Sequence, residues 1–202
     1  MNAYLDNSAT TPCSERAKNL MVQLLMEDYG NPSSLHMKGV EAERYIKEAK
    51  TKIAKTLKVE EKEIFFTSGG SESDNWALKG TMRKLAASGK KHLITSKIEH
   101  HAILHSAETL EKEGFEVTYL PVDEYGRVSV ESVKDAIRPD TGIVSIMFAN
   151  NEVGTIQPIA EIGAVCKEAG VLFHTDAVQA AGSVPIDVKA QNIDMLSISA
   201  HK

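Results

Sequence analysis

Cysteine is scarce in this chain, with Cys13 and Cys166 the two among 202 residues. No CxxC pair and no Cys/His ligand spacing is present. A disulfide framework and a zinc site are therefore not expected, and a reducing cytoplasm fits. A surplus of basic charge is also lacking. The formal net charge is -5, with no basic stripe, which argues against a nucleic-acid partner. Long apolar runs are missing too, so no segment is suited to span a bilayer. The opening MNAYLDNSATTP has no charged region followed by an apolar stretch, so it does not read as a signal peptide. Internal repeats and low-complexity segments are absent. What is present is ordinary for a soluble globular protein: 42% hydrophobic and 25% charged residues. The length predicts one domain, allows a second, and suffices for a sizeable core.

Residues 1 to 13 read as an extended segment and 14 to 202 as the main domain. Residues 14 to 28 are predicted helical, with Leu20, Leu24 and Leu25 on one side, and Gly30 to Ser34 form a loop. A long helix follows over roughly 40 to 57, where Ile46, Ala49, Ile53 and Leu57 recur at helical spacing. The pattern then alternates. Strands are predicted at 63–67, 92–95, 115–120, 143–148, 171–174 and 194–198. Helices are predicted at 72–87, 102–113, 130–137 and 158–169, the last with Pro158 early and Gly170 beyond its end. Continuous apolar strands separated by helices predict an α/β fold with a mainly parallel, doubly wound sheet. Right-handed crossovers place the strand C-termini, and a ligand crevice, along one edge.

The polar clusters all fall just after strands. Thr67 to Asn75 (TSGGSESDN) is rich in small residues at a helix start, where free N–H groups and a positive dipole suit an anion. This suggests a phosphate cradle around Gly70 and Ser71, distinct from the dinucleotide and Walker patterns. A Gly-rich turn with a Ser cap explains the segment equally well. Glu99-His100-His101 offers an imidazole to stack on a flat heteroaromatic ring or carry protons, or simply a surface histidine. Asn150-Asn151-Glu152 offers an amide for a phenolic oxygen, or a turn. Asp176 ends a buried strand, where a carboxylate is costly unless a cation or donors meet it. A protonated pyridine nitrogen is such a cation, while a helix N-cap is the plainer alternative. Last, Ser197 to Ala200 lead to His201 and Lys202, and a lysine so placed suits a Schiff base with a carbonyl cofactor. A phosphate cradle, a stacking group, an amide, a carboxylate and a lysine, in that order, meet the requirements of pyridoxal 5′-phosphate (PLP).

These segments resemble the cysteine desulfurases of the class V aminotransferase fold, in the nitrogen-fixation and iron–sulfur-assembly branch. The likeness is carried by YLDNSATTP at 4–12, GNPSS at 30–34, FTSGGSESDN at 66–75 and EHHAIL at 99–104. It continues through GFEVTYLPVDEYG at 114–126, NNEVGTIQPI at 150–159, HTDAVQAAG at 174–182 and SISAHK at 197–202. The resemblance implies the large domain of fold type I. It implies that Lys202 is the Schiff-base lysine and later acid/base, that His100 stacks on the ring and assists proton transfer, and that Asp176 pairs with the ring nitrogen. Gln179 and Asn151 would contact the phenolic oxygen side, and Gly70, Ser71, Ser199 and His201 would hold the phosphate. Many relatives have Ala-Thr where Gly70-Ser71 stand, and Ser71 keeps the hydroxyl. The implied substrate is L-cysteine, converted to alanine with a persulfide on an enzyme cysteine. The sulfur would pass to an iron–sulfur scaffold or a thiolation acceptor, and the enzyme would be a homodimer.

In the family the attacking cysteine, the arginine for the substrate carboxylate and a small C-terminal domain lie downstream of the lysine. Cys13 follows Thr11-Pro12 at a helix start, and Cys166 lies on an apolar helix face with Ile162 and Val165, so neither matches that cysteine. The chain is thus expected to be the N-terminal portion of a longer enzyme, a genuine short product being the other possibility. Alternatives in function are another class V enzyme, such as a selenocysteine lyase or an aminotransferase, and a non-catalytic remnant.

Overall fold

The computed structural model describes residues 2–202 and divides into two compact units. One comprises the residues through Phe66 together with His201, and the other Thr67–Ala200 together with Lys202.

The first unit is helical. Helix α1 (Glu15–Met26) starts where the Ser14 hydroxyl accepts the Ala17 N–H. Helix α2 (Met37–Leu57) ends at Lys58 in the left-handed conformation. No residue of α1 is buried, and α2 buries only Gly39, Ala42 and Ala54. The close approach at Gly30 requires glycine, because a Cβ there would lie 1.9 Å from the Lys38 carbonyl oxygen. The strand expected over 63–67 does not form. Glu60 and Glu63 exchange backbone and side-chain hydrogen bonds in a capping box, which winds Glu61–Glu63 into a 3₁₀ turn. Phe65 and Phe66 then stay exposed. The three-residue apolar run Ile64-Phe65-Phe66 had too little period to distinguish a strand from this turn.

The second unit holds the sheet. Its strands are β1 (His92–Ser96), β2 (Glu116–Leu120), β3 (Thr141–Ser145), β4 (Leu172–Asp176) and β5 (Met195–Ser197). They pair in the order β2-β1-β3-β4-β5, all parallel, as the alternating pattern predicted. The helix expected over 72–87 starts earlier and is not uniform. Helix α3 (Gly70–Asn75) passes through a π-helical stretch (Trp76–Gly80) into α4 (Thr81–Ala86). Helices α5 (His101–Lys112), α6 (Val130–Ala136) and α7 (Ile159–Ala169) complete the unit.

Successive strand residues face opposite sides, so the sheet has two cores. On one side Leu93 and Ile143 pack with Leu78, Met82, Ile103, Ala107 and Leu110 from the α3–α4 helix and α5. On the other, Ile94, Val144 and Phe173 pack with Val133, Ile159, Ile162 and Cys166 from α6 and α7. Each such side chain contributes about 1.5–3 kcal/mol on leaving water.

Two buried histidines add side-chain links across the strands. His92 of β1 reaches Thr118 of β2 through Nε2 and Thr141 of β3 through Nδ1, both at 2.8 Å. His174 of β4 reaches Ser145 of β3 through Nδ1 at 2.9 Å and Ser197 of β5 through Nε2 at 3.0 Å. Burial pushes the pKa of His92 down and that of His174 down to about 3, so each ring is neutral, with one donor and one acceptor nitrogen.

Candidate active site

The parallel strands point their C-terminal ends the same way; Glu99-His100, Asn150-Asn151 and Ser199 follow β1, β3 and β5, and Asp176 closes β4. Asp176 is the last residue of β4 and is buried. Its Oδ1 accepts the Val178 N–H at 2.9 Å, so it does shape the following turn as the plainer reading allowed. One backbone donor does not satisfy a buried carboxylate. Burial raises its pKa, the Val178 N–H opposes that rise, and electrostatic interaction with His100 and Lys202 opposes it further. Two predicted residues therefore act electrostatically on a third. Lys202 Nζ also donates to Gln179 Oε1 at 3.4 Å, bringing in a fourth.

His100 caps α5, its Nδ1 accepting the Ala102 N–H at 3.1 Å. The ring stays exposed, with its Nε2 edge outside that bond. Asn150 and Asn151 separate cleanly. Asn150 is buried and builds the loop: Oδ1 accepts the N–H groups of Glu152 and Val153, and Nδ2 donates to the Ile98 carbonyl. Asn151 is half-buried and donates only to Glu152 Oε1, at 2.8 Å. At the cradle, Glu72 accepts the Ser68 N–H, which holds its carboxyl below the usual range. The first turn of α3 leaves its leading N–H groups without intrahelical acceptors. A Cβ at Gly70 would lie 2.8 Å from Val178 Cγ2, so glycine lets this turn close on the loop after β4. Ser199 is half-buried in the loop after β5. His201 belongs to the first unit, where its carbonyl accepts the Thr11 N–H at 2.9 Å and its Nδ1 meets Thr10 Oγ1 at 3.3 Å.

Three buried groups of this region were not given roles from the sequence. Glu99 Oε1 accepts the Ser96 hydroxyl at 2.5 Å and the Met147 N–H at 3.0 Å, tying the end of β1 to that of β3. Its burial pushes the carboxyl up to about 8, so it is largely protonated at neutral pH. Asp74, on α3, is pushed up to about 7 by burial and by the charge of Asp176. His174 lies two residues before Asp176, hence on the same face of β4. That spacing was a usable signal for His174. Nothing comparable marked Asp74, whose burial depends on how α3 packs. No cluster of metal-ligating side chains occurs among the described residues, and no helix among them is long and apolar enough to cross a membrane.

Residues 3–202 match the family model for aminotransferase class-V. The chain belongs to the class V aminotransferase family. Among curated relatives of this family, the chain is 57% identical over 202 residues to a cysteine desulfurase IscS of Clostridium botulinum, covering 98% of this chain and 50% of that one. It is also 57% identical over 199 residues to the cysteine desulfurase IscS of Methanosarcina thermophila, covering 98% and 49%. Two solved structures superpose with a TM-score of 0.96. One, "SspA in complex with cysteine", is 44% identical over 99% of this chain and 57% of its own. The other, a NifS-like protein, is 42% identical over 100% and 56%. The chain therefore spans about half the length of the curated relatives it matches. The cysteine desulfurases of the class V family are PLP-dependent, and the residues here fit that cofactor. A close glycine turn at a helix start, a buried carboxylate short of donors and a partly buried lysine amine are groups of the kind that such a cofactor requires.

Proposed function

We propose that this chain carries the cofactor-binding portion of a PLP-dependent cysteine desulfurase, which converts L-cysteine to alanine and an enzyme-bound persulfide. The observation that supports this reading most is the buried carboxylate of Asp176 at the end of β4, met by one backbone donor, with Lys202 Nζ 3.4 Å from Gln179 Oε1 in the turn that follows it. Asp176 would hold a proton on the ring nitrogen. Gly70, Ser71, Ser199 and His201 would hold the phosphate, and Asn151 and Gln179 the phenolic side. When bound, PLP supplies an electron sink for the pair left behind as the substrate loses its α-proton. Lys202 Nζ would take that proton, and His100, free at Nε2, would move protons beside the ring. The cysteine complex of a structural neighbour supports cysteine as substrate.

Neither cysteine of this chain suits the sulfur-accepting role. Cys166 is fully buried and its thiol is pushed up to about 12, which leaves almost no thiolate at neutral pH. Cys13 immediately precedes Ser14, the cap of α1, and does not match the family's attacking cysteine, which lies downstream of the lysine. The acceptor cysteine is therefore assigned to the complete protein outside these residues, as are a homodimeric state, a cytoplasmic location, and delivery of sulfur to an iron–sulfur scaffold or thiolation enzyme.

The test is incubation of the complete protein with PLP and L-cysteine. The expected products are alanine and, with a reductant, sulfide. Lys202→Ala should abolish both and remove the visible absorbance of lysine-bound cofactor. Wild-type protein that binds PLP and releases no alanine would exclude desulfuration.

A further inference from the structure

Asp74 is 1% exposed, and its Oδ1 has no hydrogen-bond partner. The nearest ring nitrogen, His174 Nε2, lies 3.8 Å away, too far for a hydrogen bond. That imidazole is neutral, and both its nitrogens are engaged by Ser145 and Ser197. Asp74 therefore has no cationic partner there. The groups around it can be followed element by element. Strand β4 brings His174 and Asp176, and β5 brings the Ser197 hydroxyl but no titratable side chain. Glu99 precedes α5 and is itself largely protonated at neutral pH. Within α5, His101, His105, Glu108, Glu111 and Lys112 are at the exposed surface, and Lys79 of the π-helical stretch is half-buried. Asp176 is the charge that acts on Asp74, and it raises its affinity for a proton. His100 and Lys202 act on Asp176 instead. Asp74 Oδ1 lies 3.8 Å from His174 Nε2, and His174 shares a face of β4 with Asp176, so both buried carboxylates belong to one cluster; they do not both ionise readily, and the one on which Lys202 acts keeps the charge.

We propose that Asp74 and Asp176 share one proton in the cofactor-free protein, held on Asp74, and that a cationic ring docked against Asp176 expels it. This rests on the PLP reading above and deepens it. Asp74 is a positioning residue, acting on the cofactor through Asp176. In the exchange the O–H bond of Asp74 breaks, its electron pair stays on the carboxylate, and the proton leaves to solvent as the ring's positive charge replaces it. A pKa of about 7 for Asp74 places the exchange within the neutral range.

The experiment uses the complete protein stripped of cofactor, as wild type and as Asp74→Asn, with PLP binding followed by absorbance from pH 6 to 8.5. The variant cancels the cofactor's own titrations. The ratio of wild-type to variant affinity should rise with pH by up to about tenfold from pH 6 and level off above about pH 8. A ratio constant across the range would overturn the coupling, even if both proteins bind PLP tightly. A second measurement needs no variant. Infrared difference spectra of wild type at pH 6 should show a protonated-carboxyl band that disappears on adding PLP, and its persistence would also overturn the proposal. Neither readout uses turnover. Coupling in a protein that makes no alanine from cysteine would uphold this inference and remove the proposed reaction, whereas failure of wild type to bind PLP would remove both.

Discussion

Helix α1 leaves Leu25 and Met26 75% and 73% exposed, while the sheet unit buries Leu93, Ile94, Ile143, Ile162 and Phe173 completely. Both regions carry apolar side chains at the spacing expected of their elements. Only the second closes them into a core within itself. Order in the first unit leans on polar contacts, such as Tyr45 Oη and Gln23 Nε2 donating to Asp28 Oδ2 at 2.6 and 2.9 Å. The carboxylates differ in the same sense. Those hydrogen bonds hold Asp28 below its usual range, whereas burial lifts Glu99 and Asp74 far above theirs. An amphipathic pattern thus says which face wants covering, and burial decides how acids on that face titrate.

The sharpest way to break this comparison is to truncate a side chain in each unit. Phe173→Ala should cost about 3–5 kcal/mol in urea unfolding, and Leu25→Ala less than about 0.5 kcal/mol. Equal losses would mean that α1 is as well packed as the sheet. Next in size is the pH response of the second unit. Glu99 binds its proton more tightly folded than unfolded. Its contribution is full below its unfolded pKa near 4.5 and is lost as pH rises through about 8. Wild-type stability should fall between pH 5 and 8 by an amount on the order of a few kcal/mol. Glu99→Gln should flatten that slope, and an unchanged slope would place the titration elsewhere.

The first unit should respond in the opposite direction. Asp28 has a lowered pKa, so its contribution is present above pH 3.8 and is lost in acid. Amide exchange in α1 and α2 should accelerate below pH 4 in wild type more than in Asp28→Asn. Smallest is Arg138, which pairs with Glu116 and Asp140 at 2.6 and 2.8 Å on the surface of the sheet unit. Arg138→Ala should cost under about 1 kcal/mol, less in high salt. A larger cost would show that the periphery of this unit is not loosely coupled to its core.

Most strands and helices of the sheet unit were legible because apolar runs and punctuating Gly and Pro agree there. So were the places of the candidate site residues along the sheet, since Asp176 ends a strand and His100 and Lys202 follow strands. Three things were not legible. The run at 63–67 was misread because side-chain capping by Glu60 and Glu63 outweighed a short apolar stretch. The π-helical stretch at Trp76–Gly80 leaves no mark in spacing. The protonation of Asp74 and Glu99 depends on what α3, β3 and β4 bring against them, which a linear pattern does not contain. Asn150 and Asn151 show the same limit on a smaller scale, since only the fold tells which amide builds the loop.

The two histidine links lie on opposite faces of the sheet and near opposite ends of its strands, and between them touch all five. Backbone ladders tolerate sliding, because every residue offers the same N–H and C=O. An imidazole that needs a hydroxyl on each neighbouring strand does not. A slip of one residue along β1 or β4 turns the ring to the other face and strands it among aliphatic side chains. His92 and His174 thus act as a lock on alignment, so that the loops carrying Asp176 and His100 reach the same edge only when the strands have assembled in step.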